Sequence, residues 1–234
     1  MTDSNETGTQ VKDSMLEEMA QAGLLFGRKK SKTNPKMKDY VFANRNGFEM
    51  FDLEKTAAKL EEAKAFLASV AKTGKTILFV GTTPAGQEVM KEVAEGFKAP
   101  YVTHRWLGGT LSNFETISSR LRYFIKLKAD KESGKLEKYT KKERTKFDKE
   151  LERLERLFGG LEELTAMPAA LIVANTDAHS IAVREANIAG VPVIGITNSS
   201  TDPEGVDYLI PANDNSISSV RWIVEQLAQA LKTK

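Results

Sequence analysis

Apolar residues at 53, 57, 60, 63, 67 and 70 recur at the spacing of one helical face, which predicts a helix from Leu53 that stops at Gly74. Ahead of it, YVFANRNGFEMFDL (40–53) predicts a β-hairpin, with Asn46 and Gly47 as the two-residue turn that needs positive φ. Residues 1–14 are polar and read as a disordered leader. Met15 to Ala22 fits a short helix stopped by Gly23, and RKKSKTNPKMK (28–38) is expected to be a basic loop. The run KTILFVG (75–81) fits a strand buried on both faces, and Thr83 followed by Pro84 is a helix start. Val89, Val93 and Phe97 then give that helix a packed side, and a short strand near Tyr101 and Val102 completes a βαβ unit.

Residues 112–158 follow a different pattern. Phe114, Ile117, Leu121 and Phe124 mark one helix; a capping box at Thr140 and Glu143 opens another, with Phe147, Leu151, Leu154 and Phe158 apolar. Narrow seams of roughly heptad spacing, charged elsewhere, predict an antiparallel coiled-coil hairpin projecting from the domain. After Gly159 and Gly160 the alternation resumes. Strands are expected over 169–175, 191–196 and 206–211, with a helix over about 179–189 and a final helix presenting Ile217, Val220, Val224, Leu227 and Leu231. The expected architecture is a three-layer α/β domain, 15–111 with 159–234, built on a mostly parallel sheet and interrupted by the 112–158 hairpin.

The 234 residues contain no cysteine, which removes disulfides, thiolate metal sites and cysteine nucleophiles. No apolar run is long enough to span a bilayer, and the acidic start lacks the apolar stretch of a secretory signal. A net charge of +2 hides an asymmetry. Residues 28–38 carry +6 and residues 116–158 carry +6, whereas 1–27, 39–115 and 159–234 carry −4, −1 and −5. Two compact basic blocks on a mildly acidic chain suggest a polyanion partner, although the second block reads equally well as a solvated helical face.

Candidate catalytic chemistry is sparse. The loop GTTPAG (81–86) sits between a strand and a helix, where a phosphate cradle belongs. It carries Gln87 and Glu88 where a phosphate loop needs lysine and a hydroxyl, and Glu88 would repel a phosphate. Asp177 and His179 lack a third ligand, so the expectation is a cap from Asp177, a surface histidine and no metal. In HRWLGGTLSN (104–113), Gly-Gly beside an Arg-Trp pair suggests close backbone approach. Trp106 reads as a core plug, and His104, Arg105 and Asn113 are polar groups beside it.

Several longer strings carry a family resemblance: NPKM (34–37), RNG (45–47) followed by Asp52 and Leu53, RWLGGTLSN (105–113), REAN (184–187), GVPVI (190–194) and DPEGVDYLIPAND (202–214). In that order they resemble bacterial small-subunit ribosomal protein two, from about Met15 to the C-terminus. The resemblance implies a flavodoxin-like α/β/α domain with a protruding coiled coil. It also implies a non-enzymatic, cytoplasmic role on the ribosome, binding 16S rRNA between the head and body of the small subunit. Neighbouring small-subunit proteins are expected partners, including ribosomal protein one as a docking partner. No cofactor, metal, membrane or homo-oligomer is expected. Where the family usually has histidines in a G-A-H-F-G-H-like segment this chain reads GLLFGR (23–28), so no contact by them carries over. Thr83 replaces a common basic residue, and Asn175, Thr197 and Asn198 stand where aspartates are frequent.

The expected RNA contacts are Arg28, Lys29, Lys30, Lys32, Asn34, Lys36, Lys38, Arg45 and Asn46, with Arg105 and Asn113 in second rank. Flexible cations interleaved with Asn34 and Pro35 suit an irregular phosphate backbone, recognised by shape. A nucleotide enzyme acting at Gly81–Gly86, or an adaptor working through 112–158 without RNA, are the alternatives.

Overall fold

Helix α1 (residues 14–21) leads into strand β1 (Phe26–Lys29), and two 3-10 turns, Lys30–Lys32 and Pro35–Tyr40, carry the chain to β2 (Val41–Arg45) and β3 (Phe48–Phe51). This is a computed structural model describing residues 14–232, so the leader expected over 1–14 lies, apart from Ser14, outside the described residues. The hairpin turns at Asn46 (φ 52°) and Gly47 (φ 80°), the left-handed pair that matches the twist of its strands. The strand order is β1-β3-β2, all antiparallel. Strand β1 replaces the first part of the expected basic loop. Its four residues hold a single large apolar side chain, too few to show alternation.

The rest of the chain alternates. Asp52 caps α2 (Leu53–Lys72) by accepting from the amides of Glu54 and Lys55. Then come β4 (Ile77–Val80), α3 (Pro84–Gly96), β5 (Tyr101–Val102), α4 (Phe114–Glu132), α5 (Lys141–Phe158), β6 (Ala170–Val173), α6 (Ser180–Ala189), β7 (Val193–Thr197), β8 (Tyr208–Pro211) and α7 (Ile217–Lys232). The five strands are parallel in the order β5-β4-β6-β7-β8. That is the doubly wound order of flavodoxin-type sheets, reversing between β4 and β6.

Successive strand residues feed opposite layers. Phe79, Ile172, Ile194 and Ile210 pack with Leu60 and Leu67 of α2, Met90 of α3 and Ile223 and Leu227 of α7. Leu78, Val80, Leu171 and Val193 pack with Phe124 of α4, Leu154 and Phe158 of α5 and Ala182 and Ala186 of α6. In α7 the apolar face includes Ile223, while Ile217, expected on that face, is exposed.

Helices α4 and α5 run antiparallel, joined by residues 133–140. The pair is tied by Lys131–Asp148 at 2.7 Å, and Lys128 of α4 meets Glu162 just beyond α5 at 2.7 Å. The Thr140–Glu143 capping box forms as expected. The chain returns to the sheet through Gly160, where an added Cβ would overlap the carbonyl oxygen and ring of Tyr101.

Candidate nucleic-acid interface

Cross-strand register fixes what the small sheet shows to solvent. Lys29 and Arg45 both sit opposite Phe48, on either side of it, and Phe26 and Ala43 flank Met50 in the next row. Lys29, Arg45, Phe26 and Phe48 are exposed on this face, while Glu49 and Phe51 turn inward. Phe42, at a bulge of β2, is 79% exposed. The amide of Lys30 donates to the carbonyl of Gly47 (2.9 Å), so the first 3-10 turn rests on the hairpin turn. Lys29, Lys30, Lys32, Lys38 and Arg45 make no ion pair among the described residues, and Asn46 is exposed in the turn.

Three other expected contacts are committed within the protein. The Arg28 guanidinium reaches Asp214 (3.0 Å) and Asn215 (3.1 Å), and its amide donates to Ser199 Oγ. Asp214 is 1% exposed and also accepts from Asn198 Nδ2 at 2.6 Å; burial nevertheless leaves its carboxyl above the usual aspartate range. The Asn34 side chain caps the second 3-10 turn, accepting from the Lys36 amide. Lys36 Nζ pairs with Asp202 (3.0 Å) and Glu204 (2.7 Å). These contacts anchor the basic segment to the loops after β7 and β8.

Arg105 and Asn113 are exposed but belong elsewhere. They follow β5, one edge of the sheet, whereas the basic segment is tied to the loops at β8, the other edge. Four interstrand gaps, ~19 Å, separate the two edges. The eleven residues therefore form two surfaces.

The loop carrying Arg105 is organised by Glu185, which sequence reasoning did not single out. Its carboxylate, on a residue 6% exposed, accepts from Trp106 Nε1 (3.1 Å), the amides of Gly109 (2.8 Å), Leu111 (3.0 Å) and Ser112 (3.2 Å), and Ser112 Oγ (3.2 Å). Burial alone would raise this carboxyl, but the converging donors outweigh it and hold it below the usual glutamate range. The half-buried Trp106 packs against the second core layer as its apolar reading suggested, and also spends its indole N–H on Glu185. The available signal was a glutamate at a position of α6 that its helical spacing places among buried alanines. Asn187, two residues on, donates to the carbonyls of Val183 (2.8 Å) and Gly205 (2.9 Å), and Asp207 accepts from the Val193 amide (2.8 Å). The REAN and DPEGVD strings are thus joined by hydrogen bonds.

Doubly wound folds hold ligands at the switch point, here between β4 and β6, and at this point His179 and the 81–86 loop pack together. His179 is 3% exposed, contrary to the surface position expected for it. Its Nδ1 donates to the Asn175 carbonyl (2.6 Å), and its Nε2 accepts from the amide of Thr82 (2.9 Å). Desolvation lowers its pKa below the usual histidine value. Asp177 does not cap α6; Asn175 Oδ1 accepts from Ala178 instead. A Cβ on Gly86 would lie 2.6 Å from Ala174 Cβ. The glycines of 81–86 therefore serve close helix–strand packing, and the amide a phosphate would need is taken by His179. Among the described residues no group of three or more His, Asp or Glu is placed to hold a metal ion, and no helix is long and apolar enough to cross a membrane.

Residues 19–233 match the family described as Ribosomal protein S2. The chain is also similar to three curated proteins, each named small ribosomal subunit protein uS2. That of Dictyoglomus thermophilum is 42% identical over 217 residues, 93% of this chain and 88% of the relative. That of Roseiflexus castenholzii is 41% identical over 212 residues (91% and 81%), and that of Marinobacter nauticus 40% over 213 residues (91% and 85%). Together with the parallel α/β sheet, these matches establish that the chain belongs to the ribosomal protein S2 family, a structural rather than enzymatic component of the small ribosomal subunit.

Proposed function

We propose that this chain binds 16S rRNA between the head and body of the small subunit, using the small antiparallel sheet as its main contact. The observation that carries the reading is the row formed by Lys29, Phe48 and Arg45, with Lys30 and Lys32 beside it. These cations are exposed on a fixed scaffold and make no ion pair among the described residues. Lys38 and Asn46 extend the surface. Arg28, Asn34 and Lys36 work indirectly, holding the segment in place. Arg105 and Asn113 form a second contact at the β5 edge, held by the Glu185-organised loop. Phosphate contacts of this kind position the protein on folded RNA.

In this reading residues 15–111 and 159–234 form the α/β body, and 112–158 is a coiled-coil insertion. The protein works on the cytoplasmic ribosome as a single copy among neighbouring small-subunit proteins. Docking of ribosomal protein one is the accessory role that the family resemblance implies.

The test is the salt dependence of binding to 16S rRNA. Replacing Lys29, Lys30, Lys32 and Arg45 with Ala removes four cations, and the slope of log K against log salt is expected to become shallower by about three. An unchanged slope with an unchanged circular dichroism spectrum overturns the assignment.

A further inference from the structure

A groove of about 570 Å³ lies between α6 and the loop from Thr201 to Val206 that follows β7. Its two walls are joined by Asn187, whose side chain donates to the Gly205 carbonyl at 2.9 Å. From Ser180 to Ile188 the helical wall is ~12 Å long. Asp177 lines the groove just ahead of the helix and Ile188 near its end, and Val183 and Val206 add apolar lining. Thr201 also lines it, is 5% exposed, and has a hydroxyl with no hydrogen-bond partner among the described residues. On the outer face of α6, Ile181, Arg184 and Ile188 follow one another at steps of three and four, so they form one stripe. Both isoleucines are more than half exposed. The side chains of Asp177 and Arg184 are exposed and make no ion pair or hydrogen bond among the described residues.

We propose that this groove and stripe receive an extended, basic segment of a neighbouring small-subunit protein, with an apolar side chain against Ile188 and a lysine or arginine at Asp177. It rests on the reading that the chain sits among such proteins, and it names the surface and the chemistry of one contact. Three observations favour protein over RNA. The lining acids Asp177, Asp202 and Glu204 outnumber the lining cation Arg184, and Lys36, which pairs with Asp202 and Glu204, still leaves the groove negative. A phosphate backbone is repelled there and a basic peptide attracted. Exposed isoleucines gain nothing from phosphates but lose water against an apolar partner, and an arginine set between them is the composition of a protein interface. The unpartnered Thr201 hydroxyl requires a polar group from outside, which an extended segment supplies from its backbone. A helix would spend the same backbone groups on itself.

The test replaces Ile188 with p-benzoylphenylalanine in the full chain and assembles it into small subunits with 16S rRNA and the other small-subunit proteins. Gradient-purified particles are then irradiated. A cross-link that survives ribonuclease is expected, on a peptide with a lysine or arginine close in sequence to the attachment point. Adding Asp177→Lys is expected to lower its yield at least about tenfold, because like charges then meet, whereas Asp177→Glu keeps it. Circular dichroism checks that both variants are folded. A cross-link to RNA, to another part of this chain, or to a peptide without a basic residue overturns the proposal. So does a yield indifferent to Asp177→Lys, or no cross-link in particles that contain the chain. If the folded Ile188 variant is excluded from particles that accept wild type, the same probe at Ile181 decides by the same criteria. If wild type also stays out, the reading of a chain among small-subunit proteins fails and this contact with it.

Discussion

The guanidinium of Arg28 lies 3.0 Å from the carboxylate of Asp214, a residue 186 positions further along the chain. Among the described residues it is the one cation in an ion pair with this buried carboxylate, which burial itself pushes toward protonation. Arg28→Ala therefore leaves Asp214 unpaired and is expected to cost about 2 kcal/mol, below the range for fully buried pairs because Arg28 is partly exposed. Asp214 binds its proton more tightly in the folded state than unfolded, so the protonated form is the better tolerated one. The destabilisation is thus largest at neutral pH and shrinks as pH falls through the folded value of Asp214. Urea unfolding of wild type and variant at several pH values checks this, and adding Asp214→Asn to the variant is expected to recover part of the loss.

Glu185→Gln replaces an acceptor-only carboxylate by an amide whose NH2 faces N–H donors. About 3 kcal/mol of stability is expected to go, concentrated in the 106–113 loop. Trp106 fluorescence in a Trp222→Phe background reports on that loop directly. Because the folded carboxyl is held below its ordinary value, the stabilisation from Glu185 is present above about pH 4.5 and fades as pH falls through the folded value. The gap between variant and wild type accordingly narrows in acid.

His179 sets a second pH dependence. Its folded pKa is depressed, so the unfolded chain binds the extra proton first and stability declines as pH falls below about 6.5. The slope is at most about 1.4 kcal/mol per pH unit, the value for one proton, and levels off below the folded pKa. Thermal unfolding of His179→Gln between pH 7 and pH 5 is expected to show a flatter profile than wild type.

At Gly160 the return from α5 presses against Tyr101. Gly160→Ala forces either the Tyr101 ring or the short strand β5 aside, at an expected cost of about 1–3 kcal/mol. Chemical denaturation measures it, and amide exchange at Tyr101 and Val102 is expected to quicken.

How much of this was legible depended on whether a signal is periodic. The strands expected over 75–81, 169–175, 191–196 and 206–211 appear as Ile77–Val80, Ala170–Val173, Val193–Thr197 and Tyr208–Pro211, because apolar runs bounded by turn residues declare themselves locally. The Asn46-Gly47 turn was equally plain, since its chemistry is contained in two residues. Strand β1 was not legible: FGRK becomes a strand only because β3 offers it an edge. The burial of His179 was hidden for a related reason, as its partners, the Thr82 amide and the Asn175 carbonyl, are backbone groups that any residue could supply. The candidate contacts show the same division. Lysine spacing identified the basic segment, but which cations are spent internally depended on Asp202, Glu204 and Asp214, more than 160 positions away.

That separation also orders events during synthesis. The small sheet is translated before the loops that hold it, and strands this short are marginal without packing partners. Asp214, which secures Arg28, follows it by 186 residues, on the order of ten to forty seconds of elongation. A nascent chain therefore carries its most cationic segment without this tether until the loop holding Asp214 has been made. The surface acquires its final shape only when the loop carrying Asp214 emerges.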